Sequence, residues 1–167
     1  LFHPEAHKRV AKLLPKAKLI VLLRDPVDRA VSQYFHSKRL GLEPLDLEKA
    51  LEAEASRLSG ADQILVHPEG RHQSHQEHSY LSRSRYENQL PAWQKLYPSE
   101  QLLILRSEDL FEQPAFTWKR VICFLDLPFM DLPELSAPAN AGRGEASNVK
   151  KELRLLLREK LQPTYAW

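Results

Sequence analysis

KLIVLLRDPVDRAVSQY, residues 18–34, decides how this chain folds. Lys18 to Leu23 is an unbroken aliphatic run, the pattern of a strand covered on both faces as in a parallel sheet. Arg24-Asp25-Pro26 ends that run and changes the period. Asp25 suits a helix N-cap, Pro26 a first helical position, and Asp28 a first turn, where a carboxylate meets the positive end of the helix dipole. The spacing predicts a helix from Pro26 toward Gly41. Val27, Ala30, Val31 and Tyr34 share its buried face, Phe35 flanks them, and Asp28, Arg29 and Ser32 lie on the other side. A buried strand feeding a helix points to an α/β architecture.

Working outward, residues 4–14 place Val10, Leu13 and Leu14 at helical spacing before Pro15, which predicts a short amphipathic helix. Residues 46–58 repeat Leu47, Ala50, Leu51, Ala55 and Leu58 and predict a second one. Residues 59–79 turn polar, carry His67, His72, His75 and His78, and are interrupted by Pro68 and Gly70, so a long loop is expected. Residues 80–96 suit a helix that Pro91 can break. Gln101 to Arg106 is a second buried-strand run, followed by Glu108-Asp109, whose expected role is capping ahead of Leu110. A helix over 114–125, a loop over 126–148 and a last helix over 149–161 complete the chain.

At 167 residues the chain is read as one domain, 1–167. Hydrophobic residues make up 43% and charged ones 28%, which excludes wholesale disorder. Lys and Arg total 24 against 22 Asp and Glu, a net charge of +2. That sets up no global field for nucleic acid, and no stretch is long and apolar enough for a membrane segment. The lone Cys123 excludes an intrachain disulfide and a cysteine-built zinc site and fits a reducing compartment. His72, His75 and His78, three apart, cannot all face one ion on a continuous helix, so no metal is expected. Arg83, Arg85, Lys95, Arg106, Lys119 and Arg120 are read as a solvated face rather than a groove, and Tyr80, Tyr86, Trp93 and Trp118 as packing aromatics.

An anion site must therefore be local. In open α/β sheets ligands sit beyond the carboxyl ends of the strands, where Arg24 lies. Its planar fork suits phosphate oxygens, and Ser32 offers a neutral donor eight residues on. From these residues alone a second reading stands beside it: Arg24 pairs with a neighbouring carboxylate and Ser32 is a surface serine.

The segment 18–34 resembles the part of the sulfotransferase family that binds the 3′-phosphate of the sulfate donor PAPS (3′-phosphoadenosine 5′-phosphosulfate). That pattern is a hydrophobic strand, Arg-(Asn/Asp)-Pro, then Arg-Ala and Ser-x-Tyr on the helix. Arg24 and Ser32 fall on its two phosphate-contacting positions. A second likeness covers residues 86–127: Trp93, Tyr97-Pro98, the strand, Glu108-Asp109-Leu110 and Phe124-Leu125-Asp126-Leu127-Pro128. The branch it looks like is the heparan-sulfate-type or bacterial one. The resemblance implies a three-layer α/β/α fold, with a P-loop-kinase-like parallel sheet that is incomplete here at the N-terminus.

It also implies sulfuryl transfer from PAPS to a hydroxyl or amine of a small-molecule or carbohydrate acceptor, without a metal. The parent is then expected to be a cytoplasmic, bacterial-type protein, a Golgi-type parent staying open. A late nucleotide-wrapping loop in that branch corresponds to Ala141-Gly142-Arg143-Gly144, although Glu145, Ala146 and Ser147 stand where the family has an aromatic and a proline. The family's glycine-rich phosphate loop with its lysine, and the acceptor base after it, have no counterpart before Lys18. The chain is thus expected to be a C-terminal portion holding half a donor site. The alternative is a non-catalytic nucleotide-binding or interaction module that retains part of the fold.

Overall fold

The structure is a computed structural model, and it describes residues 1–132 and 144–167. α1 (Ala6–Leu13) leads into β1 (Leu19–Leu23), and α2 (Pro26–Arg39) begins where the sequence placed it. The Asp25 carboxylate accepts from the backbone N–H groups of Val27 and Asp28, both at 3.0 Å, and Pro26 costs the helix nothing in its first turn. α3 (Leu47–Arg57) follows.

Residues 59–79 depart from the expected loop, because α4 (Ala61–Leu65) and α5 (Gln73–Glu77) form within them. Each is a single turn or little more, too short to show a period in sequence. Burial of Ala61, Leu65 and His75 holds them, and His72 Nδ1 caps α5 by accepting from His75 N–H at 3.2 Å.

Residues 80–96 also depart from one helix. They divide into α6 (Leu81–Ser84), a 3₁₀ turn (Tyr86–Asn88) and α7 (Leu90–Gln94), with Pro91 in the first turn of α7 and not at the break. Gln89 closes the interruption: its side-chain amide donates to the carbonyls of Ser82, Arg83 and Arg85 at 3.3, 3.0 and 3.1 Å. β2 (Leu102–Arg106), α8 (Ser107–Glu112) and α9 (Pro114–Phe124) come next. A 3₁₀ turn (Glu145–Asn148) then leads to α10 (Lys151–Lys160) and to α11 (Gln162–Ala166), a short helix absent from the sequence reading.

β1 and β2 pair in parallel, from Leu19 opposite Leu102 to Leu23 opposite Arg106. Strands with 78 residues between them in sequence thus lie side by side, the intervening helices forming the crossover of an α/β fold. Val21 and Leu102 face a core with Tyr86, Leu90, Trp93 and Tyr97, packed against Val10 and Ala11 of α1. A second core joins Val27, Ala30, Val31 and Tyr34 of α2 to Ala50 and Leu51 of α3, Tyr80, and Leu157 and Leu161 at the chain's end.

The expectation of a strand covered on both faces holds for one face of β1 only. Ile20 is 42% and Leu22 49% exposed, because the helices among the described residues leave the other face open there. Trp118 is half-buried rather than core, its indole N–H donating to the Met130 carbonyl at 3.0 Å, and Cys123 is exposed. Among the described residues no helix is long and apolar enough to cross a membrane.

Candidate functional site

The corner between β1 and α2 is held from four sides. The Arg24 carbonyl accepts from the Tyr86 hydroxyl at 3.1 Å, and burial pushes the Tyr86 phenol's pKa up, so it stays a donor. Asp25 N–H donates to Glu108 Oε1 at 2.9 Å. One Asp25 carboxylate oxygen caps α2, and the other accepts from the Tyr165 hydroxyl of α11 at 2.7 Å. Glu108, expected to cap ahead of Leu110, lies in the first turn of α8 and makes no capping bond to its own helix. It reaches across from the turn after β2 to the turn after β1, which parallel pairing brings alongside.

The Arg24 side chain is exposed and forms no ion pair with a carboxylate among the described residues. Neighbouring acids are engaged elsewhere: Asp25 by its cap and Tyr165, Asp28 by Arg154 at 2.7 Å. The sequence reading in which Arg24 pairs with an adjacent acid is not what the fold adopts. A fixed backbone thus presents an unneutralised guanidinium at the carboxyl end of a strand, beside the N-terminus of a 14-residue helix.

Ser32 lies six residues beyond Pro26, about 9 Å along α2. Asp28, Ser32 and Arg39 fall within roughly 40° of one another around the helix. Both ends of that stripe are tied to the chain that follows the undescribed segment. Arg154 pairs with Asp28 and also donates to the Ala146 carbonyl at 3.1 Å, and Arg39 meets Glu145 at 3.8 Å. Ser32, half-buried between these ties, has no hydrogen-bond partner among the described residues. Gly144, at a φ of 84°, opens the turn that Arg39 and Asp28 hold over α2. Gly142 and Arg143 lie outside the described residues.

Arg29, expected on the open side with Ser32, is turned inward. Its Nε donates to Ser84 Oγ at 2.6 Å and a terminal nitrogen to the Tyr80 carbonyl, and burial pushes its pKa down to about 10, still cationic at neutral pH. It fastens α2 to α6 and is not available to a ligand. Arg83 is likewise engaged, bonded to Ser79 Oγ and the His75 carbonyl and lying over the Phe2 ring. The histidines are scattered over separate tasks: His72 caps α5, His75 stacks on Phe2 at 4.2 Å, and His78 meets the Leu42 carbonyl at 3.0 Å. Among the described residues none of them joins a group of three that could hold a metal. Sequence reasoning missed Tyr86, Glu108 and Tyr165 as parts of the corner. Each acts from a segment 60 or more residues away, and no spacing rule links them to it.

Comparison with known proteins adds three findings. The family model described as "Sulfotransferase domain" matches residues 3–153. The bifunctional heparan sulfate N-deacetylase/N-sulfotransferase 2 of Mus musculus is 34% identical over 125 residues, 74% of this chain and 13% of that protein. A membrane-associated sulfotransferase of Dictyostelium discoideum is 26% identical, the alignment covering 87% of this chain and 45% of that one. The chain therefore spans only a part of the length of these relatives. A crystal structure of a sulfotransferase from Alicyclobacillus acidocaldarius superposes with a TM-score of 0.61 at 20% identity, covering 96% of this chain and 59% of that one, which is a likeness of fold.

Proposed function

The chain belongs to the sulfotransferase domain family, and from that premise we propose that it forms the 3′-phosphate half of a PAPS site in a sulfotransferase. The observation that carries the reading is the exposed guanidinium of Arg24, unpaired among the described residues, on a corner fixed from four sides. Its fork matches two oxygens of a dianionic phosphate, and Ser32 adds a neutral donor from the open stripe of α2. Gly142, Arg143 and Gly144 complete the proposed set: the glycines let backbone amides approach an anion, and Arg143 adds charge.

PAPS, when bound, supplies a sulfuryl group on a good leaving group, for in-line attack by an acceptor hydroxyl or amine. Arg24 and Ser32 anchor the far end of the donor and do not touch the transferred group, so their contribution is positioning. The acceptor we propose is a carbohydrate, supported by the relatives whose names give heparan sulfate as theirs. A reducing, cytoplasmic setting suits the exposed free thiol of Cys123.

Calorimetric titration with adenosine 3′,5′-bisphosphate tests the site. A charge-assisted bond is worth about 1.5–3 kcal/mol, so Arg24→Ala should weaken binding roughly ten- to hundredfold, and Ser32→Ala less. Equal affinity of wild type and Arg24→Ala removes the assignment.

A further inference from the structure

The geometry points to Tyr165, on α11, as a positioning residue for Arg24. The inference rests on the reading of Arg24 as the 3′-phosphate ligand and adds what aims it. α11 lies beyond residues 3–153, the stretch shared with the family, so nothing in that match assigns Tyr165 a role.

Arg24 has a long side chain that meets no hydrogen-bonding or ion-pair partner among the described residues, so its direction depends on the peptide that carries it. A flexible carrier would spread the guanidinium over many positions, and binding would bear the entropy of collecting them. Pro26 already forces Asp25 away from helical dihedrals, and Asp25 sits at φ −45° and ψ 125°. The Asp25 carboxylate is then restrained at both of its oxygens. Oδ1 has the two N–H groups of the cap. Oδ2 has the Tyr165 hydroxyl at 2.7 Å, which stops the carboxylate from rotating about its own axis and releasing the cap.

Tyr165 is itself fixed. The guanidinium of Arg158 lies over its ring at 4.2 Å, and Thr164, the residue before it, donates to Glu87 Oε2 at 2.5 Å, one residue from Tyr86. α11 thus grips both Asp25 and the turn that holds the Arg24 carbonyl. Tyr165 touches the corner from a cavity of about 260 Å³ that Asp28, Arg154 and Arg158 also line. Its hydroxyl is 140 residues away in sequence from the carboxylate it restrains.

The test compares two nucleotides that differ only in the group Arg24 is assigned to hold. Adenosine 3′,5′-bisphosphate and adenosine 5′-monophosphate are titrated into the wild-type chain, Arg24→Ala, Tyr165→Phe and Tyr34→Phe, each checked for folding by circular dichroism. Tyr165→Phe removes the hydroxyl and keeps the ring under Arg158. It should lower affinity for the bisphosphate roughly three- to tenfold and leave the monophosphate unchanged. Tyr34→Phe removes a hydroxyl bond to the Leu45 carbonyl, a contact that does not involve the Arg24–Asp25 corner, and should leave the ratio of the two affinities at its wild-type value.

A Tyr165→Phe variant that loses both nucleotides equally, or neither, while Arg24→Ala abolishes the preference for bisphosphate, overturns the role of Tyr165 and leaves the phosphate site standing. A wild-type chain with no preference for the bisphosphate, or an Arg24→Ala variant that keeps it, overturns the site and the inference together.

Discussion

Replacing Glu43 by Gln should destabilise the chain by about 3 kcal/mol at pH 7 and by very little at pH 2. The Glu43 side chain is 0% exposed and is met by four donors: Arg57 Nη1 and Nη2 at 2.6 and 3.2 Å, the Tyr80 hydroxyl at 2.6 Å and Leu45 N–H at 2.9 Å. Burial alone would raise its pKa. Arg57, Tyr80 and Leu45 overcome that and bring it from 4.5 down to about 2. The folded carboxyl therefore holds its proton less tightly than the unfolded one. The stability this confers is complete above pH 5 and is lost as the pH falls toward 2. A difference of 4.5 − 2 = 2.5 units at about 1.4 kcal/mol each amounts to about 3 kcal/mol at pH 7 and about 1 kcal/mol at pH 3.

Gln keeps the volume of the side chain and, like the protonated acid, offers one accepting oxygen in place of two, so it retains either the Leu45 bond made to Oε1 or the Tyr80 bond made to Oε2 and stands in for the neutral state of Glu43. Urea unfolding of both proteins at pH 7, 5 and 3 is the assay, with the two curves converging as the pH drops. A difference that is the same at all three pH values would show that Glu43 acts through shape, and the charge argument would fail.

Three further outcomes follow from single contacts. Asp25→Ala removes both cap bonds and the Tyr165 partner and should cost about 1–2 kcal/mol, read as a lower thermal midpoint, with a parallel loss of bisphosphate affinity. Gly70→Ala places a Cβ 1.8 Å from the Ile64 carbonyl oxygen, a backbone atom, and should destabilise by at least about 2 kcal/mol. Gly41→Ala has open space around it and a φ of 72°, and should cost only about 1 kcal/mol in the same melt. Arg154→Ala breaks the tie to Asp28 and the bond to the Ala146 carbonyl. It should speed hydrogen exchange at 145–149 while changing global stability by no more than about 1 kcal/mol.

What the sequence made legible has a physical boundary. β1, β2, α2 and α3 were readable because each buries a continuous run or one stripe of a helix, and periodicity records burial directly. The N-cap at Asp25 was readable because its partners are two and three residues away. Short helices escaped. α4 and α5 are held by isolated buried side chains and by a histidine cap, and α6, the 3₁₀ turn and α7 are separated by a glutamine side chain that satisfies three carbonyls. Arg24 and Ser32 were legible as candidates because strand-end position and helical phase can be counted. Whether either is free to act cannot be counted, since that depends on Glu108, Tyr86, Arg154 and Tyr165, which reach the corner through the fold.

The same dependence bears on the proposed dianion site in a chain of net charge +2. Residues 24–29 contain two arginines and two aspartates, a balanced set that as free sequence promises no field. The fold unbalances it. Asp25 is committed to the helix cap and Tyr165, Asp28 to Arg154, and Arg29 to Ser84 and the Tyr80 carbonyl. Of these four, Arg24 alone keeps its fork uncommitted among the described residues, next to the positive end of α2, whose partial charge adds to its own. Removing the partner of either aspartate should return a competing negative charge to the corner. Weaker anion binding in Arg154→Ala, where Asp28 is released beside Arg24, would then come from a residue that never touches the ligand, and unchanged binding there would mean that Asp28 stays neutralised by solvent alone.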